Sequence, residues 1–218
     1  MGVTIHYTAT LKSPDLLSEL CDEIAELSKE AGWKSTHIGP ERVKLPNSTE
    51  MGVEGTLLNI HEKMEPVNLI FDDTGQMVNF AFLPGFNIWG AEQELQDLQI
   101  TEIGNDGQVK KVTPYQDIDF QTMSRWASTK TQFAGPGAHI CLCKLLNYLD
   151  NKYFASIEVR DEGEYWESGE LEKLVENMNF INAVLDDLDL YLRMRPSEAL
   201  NNDDELLDEL RSFWIRFK

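Results

Sequence analysis

Four histidines, His6, His37, His61 and His139, and three cysteines, Cys21, Cys141 and Cys143, are the imidazoles and thiols of this sequence, side chains suited to metal ligation or nucleophilic chemistry. Their tightest grouping is His139-x-Cys141-x-Cys143. On a helix, positions four apart share a face, so His139 and Cys143 align while Cys141 points elsewhere. A structural zinc site needs four ligands, usually from paired motifs such as CxxC, and this spacing does not supply them. The cysteines read instead as small buried hydrophobes, and the expectation is no bound metal and no cofactor. A nucleophilic cysteine would need a base and positive surroundings; Lys144 follows Cys143 but leaves the helix from another face. His61, beside Glu62 at the end of a strand-like run, His139 and Glu164 are the side chains an acid–base or metal-assisted hydrolase would draw on.

The densest polar constellation is Arg160-Asp161-Glu162-Gly163-Glu164-Tyr165-Trp166-Glu167. Asp161, Glu162, Glu164 and Glu167 surround the aromatic pair Tyr165 and Trp166. The spacing is not that of an EF-hand loop. Carboxylates around aromatic anchors are the composition of a surface that recognises a basic protein. A second candidate is Gly135-Pro136-Gly137 at a helix entry, with Lys130 five residues earlier. Exposed N–H groups at a helix start plus a cation suit an anion, so Lys130, Gly135 and Gly137 form the candidate anion site. No GxGxxG, GxxxxGK[ST], GxSxG or HExxH motif occurs. The run Phe80-Ala81-Phe82-Leu83-Pro84-Gly85-Phe86-Asn87-Ile88-Trp89 is either core or, if exposed, a ligand groove.

These residues need elements to hold them. Residues 3–10 alternate apolar and polar and read as a strand. Ser13-Pro14-Asp15 starts a helix that carries Leu16, Leu17, Leu20, Ile24 and Leu27 and stops at Ala31-Gly32. Val53–Ile60 and Val67–Phe71 read as strands, and Gln76–Phe82 returns after the turn Asp72-Asp73-Thr74-Gly75. A hairpin joins Leu98–Ile103 to Gln108–Val112. Residues 117–133 give a weak helical signal. Pro136 opens a stronger helix, Tyr153–Arg160 is a strand, and a long helix runs from Gly169 to Arg195. Asn202-Asp203-Asp204-Glu205 caps a last helix.

The chain has 218 residues with 42% hydrophobic and 26% charged, which excludes a disordered chain, a collagen-like fibre or a disulfide miniprotein. The expected fold is α+β: a mainly antiparallel sheet of about six to eight strands with four or five helices around it. It is read as a single domain over residues 1–218, with 197–218 a C-terminal helix docked on it. Net charge is −19, against which nucleic acid and anionic membrane are poor partners. Residues 161–210 hold 16 acidic and 3 basic side chains, a net of −13. An odd cysteine count, no signal-peptide pattern and no apolar span point to a cytoplasmic protein. The resulting expectation is an acidic protein-binding module, inhibitor- or immunity-like, that recognises a basic partner. The alternatives are a metal-assisted hydrolase using His and carboxylate residues, or a small-ligand-binding domain.

Overall fold

The computed structural model describes residues 2–44, 50–83, 99–103, 108–114 and 117–193. Strand β1 (Thr4–Leu11) turns Ile5, Tyr7, Ala9 and Leu11 into the core and leaves Thr4, His6, Thr8 and Thr10 half-buried on the other face, the two-residue period of a half-covered strand. The Ser13 side chain accepts from Asp15 N, and Pro14 opens a 3₁₀ turn. Helix α1 (Leu17–Ala31) follows, burying Leu20 and Ile24. It ends at Gly32, whose φ of 71° lies in the left-handed region where a side chain is disfavoured.

Strands β2 (Lys34–Lys44), β3 (Glu50–Asn59) and β4 (Val67–Asp72) form an antiparallel sheet in that order. Every residue of β4 is buried. Strands β5 (Gln99–Ile103) and β6 (Val109–Pro114) form a two-stranded ribbon. After the four-residue helix α2 (Phe120–Met123) comes β7 (Ala127–Lys130), then helix α3 (Pro136–Lys152) and strand β8 (Phe154–Asp161). Strand β1 lies between β7 and β8, antiparallel to both. The chain continues through the short helix α4 (Tyr165–Ser168) into α5 (Leu171–Arg193).

The α+β class and the antiparallel pairing hold. The single sheet of six to eight strands does not: the eight described strands form sheets of three, three and two. Residues 75–77 explain the division. Leu11 N donates to Gly75 O at 2.8 Å and Met77 N to Ala9 O at 2.9 Å, while Asp72 N donates to Gln76 O and Val78 N to Ile70 O. This short stretch therefore stitches β1 to β4 without becoming a strand. The expected strand Gln76–Phe82 ends there, because Asn79 caps a 3₁₀ turn over Phe80–Phe82. Residues 117–133, expected as helix, hold only the turn α2 before becoming β7. Residues 84–89 of the aromatic run and the expected helix 197–218 lie outside the described residues.

One core cluster takes Ile5 and Tyr7 from β1, Leu20 and Ile24 from α1, Leu69 and Phe71 from β4, and Leu142, Leu146 and Leu149 from α3. Tyr7 ties the sheets together. Its hydroxyl accepts from Asn68 N at 2.7 Å and lies 3.3 Å from Thr129 Oγ1. Burial outweighs these bonds and pushes the phenol up to about 12, so it remains a neutral donor and acceptor. Among the described residues no helix is long and apolar enough to cross a membrane.

Candidate functional site

Strand β8 alternates Ile157, Val159 and Asp161 on its inward face, with Asp161 opposite Ile5 of β1. An acid thus occupies a position the strand's period assigns to the core. Its side chain has no exposed surface, so its lone pairs must be met by protein donors. Oδ1 accepts from Gly163 N at 2.7 Å. Oδ2 accepts from Tyr165 N at 2.8 Å and Trp166 N at 2.9 Å, and lies 3.0 Å from His139 Nε2. Burial raises the carboxyl's pKa, but the bonds from His139 and from the Trp166 and Gly163 amides more than offset it, holding Asp161 below the ordinary carboxylate range. An ionised carboxylate only accepts, so His139 Nε2 carries the proton. Nδ1 of the same ring lies 2.8 Å from Thr131 Oγ1, and the Tyr165 ring stands edge-on at 6.4 Å.

The order Thr131–His139–Asp161 is that of a nucleophile, a base and its orienting acid. A reaction needs a substrate at the hydroxyl, and Thr131 and His139 are wholly buried. The ligand atoms of His139, Cys143 and Asp161 lie within 4.8 Å of one another, the closeness of a metal cluster. Their lone pairs are nonetheless committed. The Nε2 proton points at Asp161, and both Asp161 oxygens already accept amide protons. Burial, with Asp161 and Glu167 adding repulsion, pushes the Cys143 thiol up to about 12 and keeps it protonated. The group fits a hydrogen-bonded pin that fixes the turn after β8 to the start of α3.

What the pin positions is an acidic rim. Glu164 is held in the left-handed conformation at φ 60°, and the single turn of α4 ends at Gly169, also left-handed. Tyr165 and Trp166 are half-buried against the core cluster, while Glu164, Glu167 and Glu170 are exposed. A recess of about 560 Å³ runs among these carboxylates, with Ser168 and Lys173 on its wall and Asp161 at its base. Lys173 Nζ is 3.5 Å from Glu170, and both are exposed.

The other sequence-derived candidates fall elsewhere. Glu162 turns to the opposite face of the sheet, where its Oε2 accepts from Thr4 N at 2.9 Å. His61 is exposed, and its Nδ1 accepts from Lys63 N at 3.1 Å within a local turn. Gly135 precedes α3 with no side-chain cap, and Gly137 is exposed in the first turn. The Lys130 ammonium lies 5.2 Å above the Phe133 ring. Sequence reasoning missed Thr131 and the pairing of His139 with Asp161; the signal that pointed to it was an acid at an inward position of an alternating strand. Compared with known protein families, with curated proteins and with solved structures, the chain matches none.

Proposed function

We propose that the protein binds a basic segment of a partner protein on the rim formed by Glu164, Glu167 and Glu170. The observation that carries this reading is that these exposed carboxylates sit on a turn pinned by the buried Asp161–His139 pair. A pre-ordered acidic surface loses little conformational entropy on association and steers a basic partner by its field. Tyr165 and Trp166 give the rim an aromatic base. The free thiols of Cys21, Cys141 and Cys143 suit a reducing compartment such as the cytoplasm.

The test uses an arginine-rich peptide and fluorescence anisotropy. Replacing Glu164, Glu167 and Glu170 together by Lys should weaken binding by about tenfold or more and flatten its salt dependence. The control reverses Asp22, Glu26 and Glu30 on α1, which are also exposed and change the net charge equally. Equal losses in the two triple variants would mean that only net charge matters, and would defeat the proposal.

A further inference from the structure

On the opposite face of the β7–β1–β8 sheet lies a groove of about 450 Å³ with a different chemistry. Its floor follows from strand register. Thr4 of β1 is opposite Lys130 of β7, and on its other side Glu162 N donates to Thr4 O at 3.1 Å. Strands lie about 4.8 Å apart, so one ammonium and one carboxylate rise from either side of the central strand. His6 is the next residue of β1 on this face, its Nε2 3.7 Å from Glu162 Oε1. One wall is α5, which contributes Asn177, Phe180 and Ile181. Asn177 is anchored through Nδ2 to Gly163 O at 3.2 Å. Phe180 is 51% exposed and leaves an apolar ring face open along this wall.

Lys130 is the telling residue. Acidic side chains outnumber basic ones two to one in this sequence, 38 against 19, yet among the described residues the Lys130 ammonium has no carboxylate within ion-pair distance; it lies over the Phe133 ring and beside Gly2. Glu162 has one oxygen committed to Thr4 N and the other set 3.7 Å from His6. A cation and an anion on opposite sides of one strand, under an apolar wall, are complementary to a ligand that carries both charges and an apolar group. We propose that this groove binds a free apolar α-amino acid. Lys130 takes the α-carboxylate, Glu162 the α-ammonium, and Phe180 with Ile181 covers the side chain. The volume is in the range of small-molecule sites.

The experiment is calorimetric titration of the full chain with L-leucine and L-phenylalanine, alongside N-acetyl-L-leucine and L-leucinamide. Saturable binding of at least one free amino acid is expected, with both blocked leucines weaker by about tenfold or more, the loss of one charged contact. Lys130→Met should bind leucine no better than leucinamide. Glu162→Gln, which keeps an oxygen for Thr4 N, should bind leucine no better than N-acetyl-leucine. Near-UV circular dichroism checks that each variant keeps its packing, and the ligand series on the unaltered chain decides the matter if one does not. No saturation by about 10 mM, or blocked leucines that bind as well as the free one, would overturn the proposal. The triple Lys variant of the acidic rim should keep leucine binding, so the two sites fail or stand separately.

Discussion

Removing the Asp161 carboxylate strips an acceptor from three backbone amides and from His139 at once. Loss of one partner from a buried charged network costs about 3–5 kcal/mol, so Asp161→Ala should lower the urea midpoint severely. Asp161→Asn keeps the shape, removes the charge and puts an Nδ2 donor where one oxygen accepted. The folded carboxyl titrates below its ordinary value, so its stabilisation is complete above about pH 4, near the unfolded value, and is lost as pH falls through the lower folded pKa. The Asn variant should therefore be less stable than the parent at pH 7, and the two should converge as pH falls through that window. A constant difference from neutral pH down to acid would show that the charge is not what holds the turn. The pairing itself was not legible in the sequence. Twenty-two positions separate His139 from Asp161, and only the packing of α3 on β8 closes that distance. The acidic character of the rim was legible, because it depends on composition alone. Which carboxylates reach solvent was not, since Asp161 and Glu162 leave the chain toward opposite faces of the sheet.

At the scale of elements, Glu23 clamps α1 to the end of α3. Its carboxylate accepts from the hydroxyls of Tyr148 and Tyr153 and from Lys152 Nζ. Burial raises its pKa, the three donors more than reverse this, and Glu23 sits below its ordinary value. The phenols move the opposite way: burial and then Glu23 push Tyr153 up to about 12, and Glu23 raises Tyr148. Glu23→Gln should lower both phenols in a spectrophotometric titration, Tyr148 toward about 10 and Tyr153 by less, because its burial remains. Unchanged phenol titration would mean the clamp does not form. Elements governed by local rules were readable: β1 by its alternation, α1 by Ser13, Pro14 and Gly32, and β3, β4 and β8 by β-branched and apolar runs. Strand β7 was not. It has four residues, two of them polar and half-exposed, and its pairing comes from β1 and from Glu65, whose side chain accepts Lys130 N at 2.8 Å. Strand β2 lacks the signal too, because as an edge it buries, among its residues of described burial, only Ile38 and Val43.

For the whole molecule, 38 acidic against 19 basic side chains make like-charge repulsion the dominant long-range term. Exposed ion pairs such as Arg42 with Glu50 and Lys173 with Glu170 work against it, but each contributes about 0–1 kcal/mol and weakens in salt. Raising ionic strength shortens the screening length to about 8 Å at 0.15 M, which removes more repulsion than attraction in a chain of this balance. The thermal midpoint should therefore rise by a few degrees from low salt to about 0.15 M, since about 1 kcal/mol moves a chain of this size by about 2–4 °C. Over the same series, the affinity of the acidic rim for an arginine-rich peptide should fall, because there the screened interaction is attractive. The two trends have opposite signs from one cause. A midpoint that falls with salt would place net attraction within the folded chain, and the field assumed to steer a basic partner would then be too weak to do so.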